Sequence, residues 1–528
     1  MLAFVAVAKG KSGLWVRPLD RAAPLSLPGT DGASHPFWSP DGRSIGYFAG
    51  NKLWRASIAS GSPLPICEVG VGRGAAWSED GTIIFATYGR GLRRVPASGG
   101  SPVSLTDLDF SHGEVSHSWP QLLSRGRLLY WARGNSEAHT GAYAVALDQP
   151  ARAVRLINIT SNALFAAGHL LWLHGSTLVA QKFDPGELRL SGEPFPVADP
   201  VGSEAAQGHV AASASTDGAL IHSASGGGSQ LEWRDRSGKT LGALGEIGNR
   251  QGFRISPDGR RISVASSDSN RIDLWMVEIG RDAWRRFTFL PGLSTFPVWS
   301  PDGRTIVFRS SSPRNLYRKE ASGAGTEQAI TSSDDAPTPT DWSREGRLLL
   351  YHAIGKKTGL DLWVLPVTPD GKPEPGVAAR PYLRTPANEI SGRFLPQPNP
   401  RWVVYVSDDS GVDEVYVQAF PEPRGKEQIS TGGGRHPRWS PDGREIFYLG
   451  FDNKLMAVSV RVSAESAEHS TPRELFTVPW DVTSIESPYD VAPDGLRFLV
   501  QAAAEPSPQP LHVILNWPAL LKNGSMVE

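Results

Sequence analysis

Residues 36–49 read PFWSPDGRSIGYFA, and the core of this stretch, WSPDGR, begins at Trp38 and recurs unchanged at Trp299 and Trp439. Related copies join a Pro- or Ser-containing turn and an Asp-Gly pair to a run of alternating apolar residues. The copies begin at Phe37, Ala76, Ser118, Ser213, Arg254, Val298, Asp341, Arg393, Arg438 and Asp490, with a weaker copy at Asn162. The anchors Trp38 and Trp77 lie 39 residues apart, and Trp299 and Trp342 lie 43 apart. A period of about 40–45 residues is typical of the four-stranded blade of a β-propeller.

The residues between the turns show the two-residue alternation of β-strands. Examples are TIVFR at 305–309, LWMV at 274–277 and RRFT at 285–288, which are rich in β-branched and aromatic side chains. No segment keeps an apolar period of 3.6 residues, so helices should be few. The copies outnumber the roughly four to eight blades of one propeller. We therefore predict an all-β chain of two tandem β-propellers, each with six four-stranded antiparallel blades.

A glycine-rich stretch gives the predicted boundary between the propellers. The run Gly226-Gly-Gly-Ser229 lies between two groups of copies, so we predict an N-terminal propeller over 1–228 and a C-terminal six-bladed propeller over 229–528. The segment LAFVAVAKGKSGLWVRPLD, from Leu2, matches the second and third strands of the blade that contains Ile262. Its first strand and turn are missing, so we expect the first blade to be incomplete at Met1.

The repeated Ser-Pro-Asp-Gly sequence has the composition of a tight hairpin turn. Proline fixes φ early in a type I turn, aspartate accepts backbone N–H groups, and glycine adopts the left-handed conformation. The preceding tryptophan is suited to packing between blades. The alternative, a calcium loop, needs carboxylates at alternating positions, and WSPDGR has one. We assign a structural role to Trp38, Pro40, Asp41, Gly42, Trp299, Pro301, Asp302, Gly303, Trp439, Pro441, Asp442 and Gly443.

The net charge, the cysteine count and the lengths of the apolar runs exclude several classes of binding partner and of metal site. Lys and Arg number 53 and Asp and Glu number 54, so the net charge is −1 and gives no reason to expect nucleic acid or an anionic membrane. Cys67 is the single cysteine, which excludes internal disulfides and multi-cysteine metal sites. No apolar run approaches the roughly 18 residues of a membrane helix, and the N-terminus does not have the pattern of a signal peptide. We expect a monomer without metal or cofactor.

The repeats resemble the WD40-like PD40 repeats of TolB-type β-propellers. They are closest to the C-terminal propeller region of bacterial, notably acidobacterial, serine/threonine protein kinases. The similar stretches cover nearly the whole chain, among them LWVRPLD, FWSPDGRSIGYFA, GRGAAWSEDGTIIFA, DLWVLPV, EVYVQAFPEP, ISTGGGRHPRWSPDG and LHVILNW. The resemblance implies protein interaction and a periplasmic or other extracytoplasmic location. The chain has no HRD or DFG-like loop and no kinase glycine loop, so kinase activity is not implied. The cytoplasm is the alternative location, since neither signal peptide nor membrane helix is present.

Two groups of residues are candidates for ligand binding. His112, Glu114 and His117 form a polar cluster that could in principle hold zinc, but the spacing matches no zinc signature, and we favour a loop whose histidines bond to backbone or water. His35 and His436 each precede a motif tryptophan by three residues and precede a proline, and Arg435 and His117 lie near the same offset. In a propeller these positions lead into the innermost strands, near a mouth of the central channel. The alternative is that they pack on blade edges.

The sequence favours binding over catalysis. There is no G-x-S-x-G elbow, and the P-loop pattern fails because Val5 stands where Gly10-Lys-Ser12 would need a glycine. We predict a non-enzymatic scaffold or sensor module that binds a protein, peptide or envelope ligand. One alternative is the extracytoplasmic sensor half of a receptor serine/threonine kinase truncated upstream. Another is a hydrolase or lyase that acts at a channel mouth with His117 or His436.

Overall fold

The computed structural model describes most of the 528 residues. The exceptions are 9–10, 22, 60–61, 111–112, 135–138, 205–206, 225–227, 269–270, 282, 332–334, 356–357, 464, 479–485, 504–509 and 524–528. The chain divides into two compact units, the first formed by residues 1–226 and 506–528 and the second by 227–505.

The C-terminal segment belongs to the first unit, which corrects the prediction that 229–528 form one propeller. Strand His512–Ile514 pairs antiparallel with strand Leu220–His222. Trp517 is fully buried beside Val210 and Leu220, and its N–H donates to the Gly218 carbonyl oxygen at 3.1 Å. A three-residue strand carries no alternation that the sequence could have shown.

The first unit is built from short strands in antiparallel sheets that follow one another along the chain. Its strands up to the boundary are β1 (Leu2–Ala8), β2 (Lys11–Arg17), β3 (Leu25–Ser26), β4 (Ser34–Trp38), β5 (Ser44–Ala49), β6 (Lys52–Ser57), β7 (Pro63–Glu68), β8 (Gly72–Trp77), β9 (Thr82–Thr87), β10 (Arg93–Pro96), β11 (Val103–Ser104), β12 (Glu114–Leu123), β13 (Arg127–Gly134), β14 (Gly141–Ala146), β15 (Val154–Ile157), β16 (Leu164–Ala166), β17 (His169–His174), β18 (Thr177–Asp184), β19 (Arg189–Ala198), β20 (Ser203–Glu204), β21 (His209–Val210), β22 (Ala212–Ala214) and β23 (Leu220–His222).

The second unit follows the same plan. Its strands are β24 (Ser229–Asp235), β25 (Thr240–Ile255), β26 (Arg261–Asp268), β27 (Arg271–Glu278), β28 (Ala283–Arg286), β29 (Ser294–Trp299), β30 (Thr305–Ser311), β31 (Arg314–Glu320), β32 (Gln328–Ala329), β33 (Thr338–Trp342), β34 (Leu348–Ile354), β35 (Leu360–Pro366), β36 (Arg380–Leu383), β37 (Glu389–Phe394), β38 (Trp402–Ser407), β39 (Glu414–Ala419), β40 (Glu427–Gln428), β41 (Arg435–Trp439), β42 (Glu445–Leu449), β43 (Lys454–Val462), β44 (Ala467–His469), β45 (Arg473–Thr477), β46 (Tyr489–Val491) and β47 (Arg497–Ala503). Strand β48 (His512–Ile514), a 3-10 helix (Trp517–Ala519) and the short helix α1 (Leu520–Asn523) complete the first unit.

Most sheets contain four strands in chain order, as in β4-β5-β6-β7, β29-β30-β31-β32 and β37-β38-β39-β40. The first sheet is the three-stranded β1-β2-β3, and β22-β23-β48 is another three-stranded sheet. The incomplete blade at Met1 stays a prediction. In a propeller blade the first strand of a four-stranded sheet is the innermost.

One long strand joins two blades of the second unit. Residues 240–248 of β25 pair with β24, and residues 249–255 pair with β26. The β24 strand also pairs with β47 along its whole length, from Ser229 opposite Ala503 to Asp235 opposite Arg497. The blade β46-β47-β24-β25 therefore combines the two ends of the second unit.

The core lies between neighbouring sheets because alternate side chains of each strand point to opposite faces. In β30, Ile306 and Phe308 pack with Leu274 of the preceding blade. Val307, between them, packs with Leu349 of the following blade. Each blade therefore contributes to two hydrophobic layers.

The repeated turn is a hairpin stabilised by its own side chains. The Ser300 hydroxyl donates to Asp302 Oδ1 at 2.6 Å, and the same oxygen accepts the Arg304 N–H at 3.0 Å. Ser300 Oγ also accepts the Thr305 N–H at 2.9 Å, and Gly303 has φ of 70°. The equivalent contacts occur around Asp41 and Asp442, with Gly42 at 66° and Gly443 at 71°. Serine at the start of the turn thus satisfies the aspartate carboxylate locally.

Two of the motif tryptophans attach their blades to the one before. Trp299 Nε1 donates to the Arg254 carbonyl oxygen at 3.1 Å, and Trp439 Nε1 donates to the Arg393 carbonyl oxygen at 3.2 Å. Trp299 and Trp439 are buried, and Trp38 is half-buried. The all-β propeller fold predicted from the sequence is confirmed. The number of blades in each propeller stays a prediction, because several sheets have three strands and one combines seven.

Candidate ligand-binding site

The innermost strands of the second unit form a ring. Strands β25, β29, β33, β37 and β41 contact one another in that order, and β46 contacts β25. An ion pair between Arg438 of β41 and Asp490 of β46 links the remaining two strands. Side chains that point inward from these strands share one centre.

A β-bulge interrupts five of the inner strands, which are β25, β29, β33, β37 and β41. In β29, β37 and β41 the register shifts between Thr295 and Val298, between Ile390 and Arg393, and between Arg435 and Arg438. The bulges contain residues in the left-handed region, and these are Phe296, Ser391 and His436, with φ of 55°, 57° and 54°. Bulges of this kind redirect the side chains that follow them.

Charged residues occupy five of the six positions immediately before the apolar anchor of the turn motif. In the six inner strands these positions hold Arg254, Val298, Asp341, Arg393, Arg438 and Asp490. We call Arg254, Arg393 and Arg438 the arginine cluster. The ring of inner strands therefore carries five charged residues.

Two arginines of the cluster are paired with aspartates. Arg393 Nη1 lies 3.6 Å from Asp341 Oδ1, and Arg438 Nε donates to Asp490 Oδ1 at 3.2 Å. The same aspartates accept backbone N–H groups of neighbouring strands, from Phe394 to Asp341 at 2.8 Å and from Ile255 to Asp490 at 2.9 Å. The carboxylates therefore fix both the arginines and the spacing of the strands.

Arg254 has no such partner. Its Nη1 donates to the Phe253 carbonyl oxygen at 3.0 Å, and among the described residues no carboxylate lies within 4.0 Å of its guanidinium group. Burial, together with the positive charge of Arg438, lowers the pKa of Arg254 to about 10. Burial and the charges of Arg438 and Arg254 hold the pKa of Arg393 well below its ordinary value. The three guanidinium groups thus repel one another in a poorly solvated place.

Several donors of the arginine cluster have no acceptor. The Nε atoms of Arg254 and Arg393 and the Nη2 atom of Arg438 are buried, and none has a hydrogen-bond partner within the described part of the chain. A buried donor that is left unsatisfied costs about 1–3 kcal/mol, and more when it is charged. The cluster is therefore suited to an anionic acceptor.

Glu486, which precedes β46, lies beside the cluster. Its Oε1 accepts the Phe296 N–H at 3.3 Å, and its carboxylate lies so close to Gly252 that a Cβ there would collide with it. Burial raises the pKa of Glu486 to about 7, although Arg254 and the Phe296 N–H oppose the rise. This carboxyl group is consequently only partly ionised near neutral pH.

The centre of the first unit is different. His35 of β4, Trp119 of β12 and His209 of the β20–β21 hairpin lie together, with ring centroids 5.0 Å apart for His35 and Trp119 and 4.2 Å for Trp119 and His209. Burial and the charge of nearby Arg73 lower the pKa of His35 to about 3, and burial, His35 and Arg73 lower that of His209 to about 3. Both imidazoles are therefore neutral at physiological pH.

Neutral side chains also stand where the second unit has its charges. His35 and Trp119 have φ of 47° and 56° in the same type of bulge as His436. The position two residues further on is Phe37 in β4 and Gln121 in β12. Gln121 accepts the Phe165 N–H at 2.7 Å and donates to the Phe165 carbonyl oxygen at 2.8 Å, so its amide is used in attaching two blades.

The structure places the other predicted site residues in internal contacts. His117 Nδ1 lies 2.7 Å from Thr106 Oγ1, and His117 Nε2 lies 3.1 Å from Glu114 Oε2. Burial raises the pKa of Glu114, but the hydrogen bond and charge of His117 outweigh it and lower the pKa overall. His112 lies outside the described residues.

Arg435 and His436 make contacts within the second unit. Arg435 forms a hydrogen-bonded ion pair with Asp413. The His436 carbonyl oxygen accepts the Tyr489 hydroxyl at 2.7 Å. His35 and His117 belong to the first unit, and Arg435 and His436 belong to the second.

The described residues offer neither a metal site nor a membrane-spanning helix. No group of three or more His, Cys, Asp or Glu side chains in this part of the chain is arranged to hold a metal ion. No helix within the same residues has the length and apolar composition needed to cross a membrane.

Sequence reasoning missed the arginine cluster, although the copies of the motif start on its members. A signal was present, because a charged residue directly before the apolar anchor is unusual in an otherwise buried strand. The corresponding positions of the first unit, Phe37 and Ala76, are apolar. Comparing the copies at this one position would have separated the two units.

Comparisons with known proteins agree with the repeats. A scan of protein families finds no match to the chain. The Tol-Pal system protein TolB of Nitratidesulfovibrio vulgaris is 48% identical over 46 residues, which are 8% of this chain and 10% of that protein. The match thus spans about a tenth of that relative's length.

Two solved structures of TolB are also similar to this chain. A putative TolB from Agrobacterium tumefaciens has a TM-score of 0.41 and 14% identity, covering 53% of this chain and 100% of its own. TolB from Acinetobacter baumannii has a TM-score of 0.36 and 13% identity, covering 65% of this chain and 80% of its own. The association with protein kinases stays a prediction. The resemblance to TolB-type β-propellers that the repeats predicted is confirmed.

Proposed function

We propose that this protein is a non-enzymatic binding scaffold, and that a protein or peptide ligand enters the centre of its second propeller. The observation that carries the proposal is the arginine cluster, whose buried N–H groups have no acceptor in the described part of the chain. Groups that fold into a buried position without a partner are rare in native proteins and commonly mark a ligand site. Central channels of propellers are ordinary places for ligands.

The alternative of a hydrolase or lyase at a channel mouth has less support. Such an enzyme would need a histidine whose ring nitrogen is available for proton transfer. Both ring nitrogens of His117 are engaged by Thr106 and Glu114. The low pKa of His35 makes it a poor base near neutral pH.

The compartment and the partner class follow from the resemblance. One similar protein is named for the Tol-Pal system, and TolB-type propellers are expected to act in protein interaction outside the cytoplasm. We therefore propose an extracytoplasmic location and a protein partner. A role as the sensor region of a receptor kinase is a narrower proposal. It requires an in-frame kinase and membrane helix in the coding DNA upstream of Met1, and an upstream stop codon would remove it.

Site-specific photo-crosslinking tests the proposed function. Benzoylphenylalanine is placed at Phe296, in the inner strand β29, or at Phe289, which is 59% exposed. We expect a partner from the cell envelope to crosslink at position 296 and not at 289. A partner that crosslinks only at 289, or at neither position, would show that the second centre is not the binding site.

A further inference from the structure

We propose that the arginine cluster binds a carboxylate of the ligand, so that the ligand is an acidic peptide segment of a protein. This inference rests on the proposed function and specifies the chemistry that the second centre recognises. It concerns Arg254, Arg393 and Arg438, which contact the ligand, and Asp341 and Asp490, which hold two of them in place.

The arginine cluster has one more positive charge than its paired aspartates can neutralise. Arg393 and Arg438 are each matched by an aspartate, at N–O distances of 3.6 and 3.2 Å. Arg254 is the third positive charge, and in the part of the chain that the structure describes it has no carboxylate within 4.0 Å. The described cluster therefore carries a net charge of about +1 before Glu486 is counted, which a single carboxylate would neutralise.

The unused donors belong to the groups that recognise carboxylates best. A guanidinium group presents parallel N–H donors that match the two oxygens of a carboxylate. Nε of Arg254 and Nε of Arg393 come from strands β25 and β37, and Nη2 of Arg438 comes from β41. Donors from three blades give a position for the anion that no single hairpin could define.

The same charge count disfavours phosphate. A dianion would reverse the sign of the centre, and the two aspartates and Glu486 would then repel it. A carboxylate at the end of a flexible side chain, or at a chain terminus, meets the requirement for one negative charge. An acidic peptide is therefore favoured over free phosphate or a phosphorylated ligand.

The first unit supplies a natural comparison within the chain. Its centre contains His35, Trp119 and His209 in mutual contact, and its inner-strand positions are Phe37, Ala76 and Gln121 rather than arginines. Arg73 brings one positive charge to these rings, whereas the second centre has three arginines, so we expect the carboxylate to bind in the second unit.

Fluorescence binding to the full-length protein tests the inference with two pools of random decapeptides. One pool has glutamate at its central position and the other has glutamine, and the peptides of both pools are amidated at the C-terminus and contain no other Asp or Glu. We expect the glutamate pool to bind the wild type at least about tenfold more tightly, since the glutamine pool leaves a desolvated arginine without its charged partner. Arg254→Gln should abolish this preference, and Arg254→Lys, which keeps the charge and loses the planar fork, should keep part of it. Arg444→Gln, which removes an arginine whose side chain is 85% exposed, should leave it unchanged.

The outcomes separate this inference from the proposed function. Equal binding of both pools, together with crosslinking at position 296, would overturn the carboxylate and leave the binding scaffold in place. Competition by inorganic phosphate that is stronger than by acetate, and is lost in Arg254→Gln, would replace the carboxylate by a phosphate. If neither pool binds and no partner crosslinks at position 296, both proposals are overturned. The melting temperature of Arg254→Gln shows whether the variant is folded, and relief of repulsion within the cluster predicts that it is not lowered.

Discussion

The two propellers use one inner-strand design with opposite chemistry at their centres. In both, a bulge with a left-handed residue precedes the turn motif, as at His35 in the first unit and His436 in the second. In the first unit, neutral rings of His35, Trp119 and His209 fill the space. In the second, arginines and aspartates face one another.

The difference shows that the residues of the repeated turn are constrained by the hairpin, whereas the residue before the turn's apolar anchor is not. The turn must close a hairpin in every blade, so its serine, aspartate and glycine are the same at Asp41, Asp302 and Asp442. The residue directly before the anchor takes no part in the hydrogen bonds of the hairpin. It can therefore change from phenylalanine to arginine without loss of the blade, and specificity can be built there.

Removal of a centre charge should have the largest effect on stability. Asp490→Asn would leave Arg438 without its ion-pair partner and weaken the contact to the Ile255 N–H. Loss of one member of a buried pair costs about 3–5 kcal/mol. In the first unit, Gln121→Met should cost less, about 1–3 kcal/mol, because it leaves only neutral backbone groups unsatisfied. Urea unfolding of each variant checks the order.

Asp409→Asn is the control for this comparison. Asp409 pairs with Lys426 at 2.9 Å and its side chain is 64% exposed, so the change should stay within about 1 kcal/mol. An Asp490→Asn variant that is as stable as Asp409→Asn would show that the second centre is not held by its charges.

The two centres should respond to pH with opposite signs. The pKa of Glu486 is raised from 4.5 to about 7, so the folded second unit binds this proton more tightly than the unfolded chain does. Its stability should fall as pH rises from about 4.5 to 7, by roughly 3 kcal/mol at about 1.4 kcal/mol per pKa unit. The pKa of His209 is lowered from 6.5 to about 3, so the first unit should lose roughly 2 kcal/mol as pH falls from 6.5 to 5.

Variants rather than whole units are needed to measure these terms, because His352 of the second unit is also a neutral histidine with a pKa lowered to about 3. Native-state hydrogen exchange at pH 5 and pH 8 reports each unit separately. We expect Glu486→Gln to reduce the loss of second-unit stability between pH 5 and 8, and His209→Gln to reduce the loss of first-unit stability at pH 5. Unchanged pH profiles in both variants would contradict the assignment.

Substitutions in the repeated turns should show the smallest difference in stability loss between the two propellers. Gly42 and Gly443 both have left-handed φ, and an alanine in this conformation costs roughly 1–2 kcal/mol. A Cβ at Gly42 meets nothing within 4 Å, whereas one at Gly443 would lie 2.9 Å from Leu395 Cδ1. Gly443→Ala should therefore lower the melting temperature more than Gly42→Ala, with Gly303→Ala, whose nearest contact is at 3.5 Å, close to Gly42→Ala. Equal losses would mean that Leu395 moves freely.

The sequence predicted the fold well because propeller blades are specified by local chemistry. Turn residues and two-residue alternation lie within one stretch of about a dozen residues, and their meaning does not depend on the rest of the chain. The centre could not be predicted in the same way. Asp490 accepts the Ile255 N–H across 235 positions of sequence, and a single sequence carries no periodic signal for such a contact. For the same reason His117 was placed at a channel mouth as a possible ligand, whereas Thr106 and Glu114 engage its ring.

The pairing of β48 with β23 sets the order in which the chain can be completed during synthesis. The second unit consists of residues 227–505, so all of it has been synthesised once the chain reaches residue 505. Its first and last strands, β24 and β47, pair directly. The first unit is complete only after His512–Ile514, which pair with β23, and the fully buried Trp517 have been synthesised. The propeller that leaves the ribosome first is therefore finished last, and a chain cut just after residue 505 would hold a complete second propeller and an unclosed first one.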